Sequence, residues 1–235
     1  FSSARILVRV DKISDVPKDT PVKEIKKAGI IGSGTMGGGI AMCFANAGIP
    51  VHVIDQDEEN LKRGISVIEK NYEFMVKKGR LTAEQKDNVF GLVSSGLDYE
   101  GVADCDIVIE AVYENLELKH EIFKALDEQV KPDAILASNT SSISISNLGN
   151  QTKRPENIIG MHFMNPVPIM KLIEVIKTIH TSESTIKTII DIGKKMNKIP
   201  VECNDYPGFV SNRILMPMIN EAIFCLEQNV AEKEA

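Results

Sequence analysis

Six residues, Gly32-Ser33-Gly34-Thr35-Met36-Gly37, spell G-x-G-x-x-G, and each glycine of that spacing has its own physical task. The first permits a tight turn, the second lets backbone approach a pyrophosphate, and the third lets a helix pack closely on a strand. The N–H groups of Thr35 and Met36, opening the helix that would follow, then point at phosphate oxygens from the favourable end of the helix dipole. Alone the triplet is weak, because glycines fall at this spacing by chance and in other loops. Its context strengthens it. The apolar run Ala28-Gly29-Ile30-Ile31 leads into it, a helical pattern follows, and Asp55 ends a second apolar run 23 positions after Gly32. A dinucleotide site requires that order. A carboxylate at Asp55 accepts hydrogen bonds from ribose hydroxyls and repels a 2′-phosphate. With Gln56 next and no Arg close by, NAD is expected over NADP. Two competing readings are a glycine-rich turn without a ligand, and an Asp55 that only caps the next helix.

His162 closes the apolar run Ile158–Phe163, beside Asn165-Pro166. A single histidine in such a place is more often structural than catalytic. Glu174 sits within Leu172-Ile173-Glu174-Val175-Ile176, and a buried carboxylate without a partner is costly. If these two runs pair, an imidazole–carboxylate dyad is the economical solution. The carboxylate would fix the tautomer and stabilise the imidazolium formed when the ring takes a proton. Elsewhere Lys62, Arg63, Lys70, Lys77, Lys78 and Arg80 outnumber Glu69 and Glu73 on one long helix, which taken alone reads as a solvated face. Cys43, Cys105, Cys203 and Cys225 are far apart, with no C-x-x-C and no His at ligand spacing. They read as small buried residues of a reduced protein, and no metal site is expected.

The elements that must position these residues alternate. Strands are expected at 28–31, 51–54, 106–111 and 134–138, and helices at 35–47, 58–78, from about Thr82, and at 116–130. That alternation predicts a parallel sheet covered on both faces. Past Thr140 the pattern changes, to strands at 158–163 and 171–176, a helix at 182–196 and a last strand at 199–201. Asp205-Tyr206-Pro207-Gly208 breaks the chain before a final helix from Phe209 to about Asn229. Ile214, Leu215, Met218, Ile219 and Ile223 help cover more than half of that helix's circumference, so a cover is expected there: further sequence of a longer chain first of all, or else a second copy or a different subunit.

The 235 residues bury a core without staples, and 43% hydrophobic with 26% charged residues is an ordinary soluble mixture. No apolar run approaches the ~18 residues of a membrane span. A net charge of −6 argues against general affinity for nucleic acid or anionic lipid. Lys12, Lys18, Lys23, Lys26 and Lys27 alternate with Asp and Pro through residues 1–26, as in a solvated arm. The start Phe1-Ser2-Ser3 resembles what remains when a mitochondrial presequence is clipped. The mitochondrial matrix is the expected compartment, with the cytoplasm as the alternative.

Five stretches occur in order: 32–39, Ile107–Val112, Ala137–Ser142, Met161–Val167 and Pro207–Arg213. Together they resemble the 3-hydroxyacyl-CoA dehydrogenase family, which includes 3-hydroxybutyryl-CoA dehydrogenases, from about residue 27 to the end. The resemblance implies NAD-dependent oxidation of L-3-hydroxyacyl-CoA, or its reverse, in fatty-acid β-oxidation or short-chain acyl metabolism. It assigns the dyad to His162 and Glu174. It sets Ser138 and Asn212 at the reacting substrate oxygen, with Ser138 also beside the cofactor, and Glu110 and Asn115 at the nicotinamide end. Lys77 or Lys78 would meet the CoA phosphates. The implied fold is α/β: a Rossmann-type doubly wound sheet over 27–207, then the first helix, 208–235, of an all-helical domain that family members continue for roughly a hundred residues. An accessory subunit derived from the same family, kept for its fold in a larger assembly, is the alternative function.

Overall fold

The computed structural model describes Pro17, residues 19–230 and Glu232. The sequence reading of Phe1–Ser3, Lys12 and Lys18 lies outside the described residues. The glycine loop joins β1 (Ala28–Ile31) to α1 (Thr35–Asn46), and β2 (Val51–Ile54) follows. A helical pair, α2 (Glu58–Lys77) and α3 (Ala83–Phe90), leads to β3 (Val93–Gly96). Next come β4 (Ile107–Glu110), α4 (Leu116–Gln129), β5 (Ile135–Ser138) and the short α5 (Ile145–Gly149). The chain continues through β6 (Ile158–Phe163), β7 (Leu172–Lys177), α6 (Glu183–Lys195) and β8 (Ile199–Asn204) to α7 (Ser211–Glu227).

Among the described residues, eight strands form one sheet in the order β3-β2-β1-β4-β5-β6-β7-β8. β1 is parallel to both β2 and β4, and the order in which the chain adds strands reverses between β1 and β4, the topological switch point at which open α/β sheets bind ligands beyond their carboxyl ends. Successive side chains of each strand face opposite sides. Ile30, Val53 and Ile109 pack with α1, α2 and α6, while Ile31, Ile54 and Val108 pack with α4 and α5. Both faces are covered, so the central strands β1, β4 and β5 are buried along their whole length.

Four features depart from the sequence reading. The sheet is not wholly parallel, because β7 runs antiparallel to β6. The connection through 164–171 is too short for a helical crossover and makes a hairpin. That connection is pinned by the buried Lys198 ammonium, which donates to the carbonyls of Val167 and Met170. Strand β3 was not expected, since Val-Ser-Ser-Gly has little apolar signal and is a strand only through its pairing with β2. The arm is docked rather than solvated from Lys23 onward: Lys23 N–H donates to Thr188 Oγ1, its ammonium to Asn157 Oδ1, and Ile25 is buried. Finally, α7 begins at Ser211 and not at Phe209, because Phe209 sits at φ 48° after Gly208 at φ 77°, outside the right-handed helical region.

Candidate active site

The glycine loop is built by close approach. Gly32 adopts φ 104°, and a Cβ there would lie 2.7 Å from the Ala111 carbonyl oxygen. A Cβ on Gly37 would lie 1.9 Å from the Gly32 carbonyl oxygen, so helix and strand touch backbone to backbone. Gly34 differs. A Cβ there would meet nothing within 4 Å, so no packing within the protein demands glycine. Gly34 is also the N-cap of α1 and offers no side-chain acceptor, so Thr35 and Met36 open a helix whose first turn is uncapped by any side chain. Room above Gly34 and an uncapped helix start are what a pyrophosphate needs, and the residues present fit a dinucleotide. Gly64 of α2, which the sequence did not single out, belongs to the same construction: its Cβ would fall 2.3 Å from the Ser33 carbonyl oxygen.

Asp55 stands half-buried at the end of β2. Its Oδ2 accepts the Ser33 N–H at 2.9 Å and the Ser33 hydroxyl at 2.7 Å, tying the glycine loop to the next strand. It does not cap α2; Asp57 does, accepting the Asn60 N–H at 2.8 Å. The capping reading of Asp55 is thereby removed.

In the register of the β6–β7 hairpin His162 lies directly opposite Glu174. His162 Nδ1 is 2.7 Å from Glu174 Oε2, and both side chains are buried. Burial alone would raise the Glu174 carboxyl, but the hydrogen bonds from His162, Ser211 and Val210 outweigh it and hold the group below its ordinary value. A charged carboxylate only accepts, so Nδ1 carries a proton and Nε2 is left as the basic nitrogen of the neutral ring. Nε2 lies 3.0 Å from Ser141 Oγ. The Phe209 ring packs on the imidazole with centroids 5.6 Å apart.

The other residues expected around this pair take different positions. Ser138 is fully buried and its hydroxyl donates to Glu110 Oε2 at 2.6 Å. It does not face the imidazole; the hydroxyl that does is that of Ser141. Glu110 is likewise sealed, 0% exposed, with Oε1 accepting the Lys119 ammonium at 2.6 Å and the Val112 N–H at 2.7 Å. The carboxylate open to solvent beside Ser141 is Glu114. Its Oε1 accepts the Thr140 hydroxyl and the N–H groups of Ser141 and Ser142 at 2.5 to 3.0 Å. Partial burial would raise Glu114, but these donors and the Lys119 charge bring it down to about 2. Asn115 is the N-cap of α4, accepting the Leu118 N–H at 2.9 Å. Asn212 lies half-buried in the first turn of α7, next to Ser211. Lys77 and Lys78 are exposed at the far end of α2, about 20 Å along the helix from Gly64 at ~1.5 Å per residue. The sequence did not single out Ser141 or Glu114, because nothing in their neighbourhood marks which of several Ser residues reaches the histidine or which Glu accepts from the 140–142 loop. Only the run Asn139-Thr140-Ser141-Ser142 signalled a polar strand end there.

Comparison with known proteins identifies the family. The model of the 3-hydroxyacyl-CoA dehydrogenase NAD binding domain matches residues 27–206, and that of the C-terminal domain of the same family matches 208–235. The chain is 51% identical over 209 residues to a probable 3-hydroxybutyryl-CoA dehydrogenase of Deinococcus radiodurans, covering 89% of this chain and 75% of that one. It is 42% identical over 217 residues to the mitochondrial hydroxyacyl-coenzyme A dehydrogenase of Mus musculus, covering 89% and 69%. The crystal structure of (S)-3-hydroxybutyryl-CoA dehydrogenase from Ralstonia eutropha superimposes with a TM-score of 0.87 at 40% identity, covering 90% of this chain and 75% of that one. With a sheet that reverses at its glycine loop, a histidine paired to a buried glutamate and these relatives, the chain belongs to the 3-hydroxyacyl-CoA dehydrogenase family.

Proposed function

We propose that this protein oxidises L-3-hydroxyacyl-CoA to 3-oxoacyl-CoA, or catalyses the reverse, with NAD, as part of fatty-acid metabolism. The observation that carries the reading is the buried His162–Glu174 pair, with Nε2 at the carboxyl ends of the strands, on the same edge of the sheet as an NAD-type glycine loop. Bound NAD supplies the hydride acceptor for C3 of the substrate. The protein supplies orientation and the proton path. His162 Nε2 takes the C3 hydroxyl proton, and Glu174, already charged, stabilises the imidazolium that results. Ser141 Oγ, 3.0 Å from Nε2, occupies hydrogen-bond reach of the same oxygen, and Asn212 joins it from α7. Gly32, Gly34, Thr35, Met36 and Gly37 hold the pyrophosphate, Asp55 the ribose. Glu114 and Asn115 border the nicotinamide end, with Glu110 and Ser138 buried behind them. Lys77 or Lys78 meets the CoA phosphates.

In domain terms, 27–207 is the nucleotide-binding unit and 208–235 opens a helical one. The mouse relative supports a mitochondrial matrix location and the bacterial relatives a cytoplasmic one. Fractionation of the native protein separates the two. Acetoacetyl-CoA and NADH provide the functional test. His162→Ala is expected to lower turnover by ~10²–10⁴-fold while leaving NADH affinity unchanged. Full activity in that variant overturns the assignment.

A further inference from the structure

Glu174 is held from a second direction that the dyad does not require. Its Oε1 accepts the N–H groups of Val210 at 3.0 Å and Ser211 at 2.8 Å. Its Oε2 accepts the Ser211 hydroxyl at 2.8 Å, alongside His162 Nδ1 at 2.7 Å. α7 has no side-chain cap of its own, so a carboxylate from within β7 does what an N-cap residue normally does. Of the four donors, two are backbone groups that any residue would present. Ser211 alone adds a hydroxyl, and it adds it to the oxygen that the imidazole uses.

We propose that Ser211 is a positioning residue of this enzyme: its hydroxyl holds Glu174 Oε2 on the Nδ1 side of His162 and shares that oxygen with the ring. The inference rests on the dyad reading above. Two donors on one carboxylate oxygen compete for the same electron density, so each weakens the other. With the Ser211 hydroxyl present, Glu174 is aligned but pulls less on the imidazole proton than a less solvated carboxylate would. Without it, Oε2 becomes more basic, the bond to Nδ1–H strengthens, and the imidazolium gains stability relative to the neutral ring. The base would then keep its proton to higher pH.

The other ionisable groups around the pair leave that window clear. Cys203 on β8 has its thiol pushed up to about 12 by burial and by the Glu174 charge, so it stays neutral. Glu114, across the Ser141 loop, is held at about 2 and stays charged. Asp205, packed against α5, is lowered despite its burial by hydrogen bonds from Ser144, Ile145 and Ser146, and stays charged as well. A change between pH 5 and 9 therefore reports the dyad.

Ser211→Val and Ser211→Thr, made in the full chain, separate the hydroxyl from the packing, because the two side chains have nearly the same shape. The readouts are the pH dependence of kcat/KM for oxidation and the NMR titration of the His162 ring. For Ser211→Val the acid limb and the ring titration are expected to move upward by about half a unit to one unit, with NAD affinity unchanged. Ser211→Thr should follow the parent. Should the valine variant fail to fold, Ser211→Ala removes the hydroxyl without adding bulk and should shift the same way. No shift in the hydroxyl-free variants overturns the proposal, as does an equal shift in valine and threonine. The ring titration does not depend on turnover. An active His162→Ala therefore sinks the dyad reading, whereas an unshifted ring in Ser211→Val sinks only the role of Ser211.

Discussion

Asp55 and Glu114 show how single carboxylates organise this site. Asp55 spends Oδ2 on the N–H and hydroxyl of Ser33 and leaves Oδ1 only a long 3.4 Å contact to the Asp57 N–H. Its carboxylate therefore shapes the glycine loop and keeps Oδ1 for the ribose of the proposed dinucleotide. Asp55→Ala is expected to weaken NADH, since a hydrogen bond to a charged group is worth ~1.5–3 kcal/mol, and to narrow the preference over NADPH. Steady-state KM values for both cofactors measure this; a parent protein that prefers NADPH contradicts it. Glu114 acts on stability. Its folded value of about 2 lies below the ordinary 4.5, so its contribution is complete above about 4.5 and is lost as pH falls toward 2. Urea unfolding of Glu114→Gln should thus show a deficit at neutral pH that shrinks across that interval. A deficit that stays constant down to pH 3 would assign the effect to something other than its charge.

Among the elements, α2 packs against the glycine loop that leads into α1. Gly64 lets it lie against the Ser33 carbonyl, while its own N-terminus is fixed by Asp57. A methyl at this point meets backbone, which cannot swing aside as a side-chain tip can. Gly64→Ala is expected to cost ~1–3 kcal/mol, the usual range for overpacking, and to raise the KM for NAD by displacing the loop. The KM for acyl-CoA should change less. Thermal unfolding and cofactor titration check both, and a variant with parental stability and affinity would show that α2 can move freely. The β6–β7 hairpin is a second such element, since its register sets His162 against Glu174, and a slip of one residue would turn both side chains to the other face.

At the scale of the molecule, the sheet is covered on both faces but α7 is not. None of its residues is buried, and Ile214 and Met218 are 65% and 60% exposed. One turn apart on one face, they form part of an apolar surface of the kind that marks interfaces or aggregation. Light scattering on this chain is expected to find species larger than one chain. Ile214→Glu with Met218→Glu should reduce them toward the monomer. A stable monomer of the parent with α7 intact contradicts the expectation.

The glycine spacing, the apolar runs and the placement of Asp55 were enough to read the nucleotide-binding half of the fold, because local periodicity and turn chemistry act over a few residues. Glu174 could be marked as needing a partner for the same kind of reason: a charge inside an apolar strand is anomalous wherever that strand lies. What remained hidden depends on pairing across long separations. β3 is a strand because β2 lies beside it. Glu110 is sealed and Glu114 open because Lys119 and Ser138 close over one and the Ser141 loop presents itself to the other. Ser141 rather than Ser138 reaches the imidazole because residues past β5 turn toward the end of β6. The cap of α7 is a carboxylate 36 positions away from the N–H it receives. No local pattern encodes such distances, since a side chain's hydrogen-bond partners are set by where the backbone brings distant residues together, and the tertiary structure alone decides that.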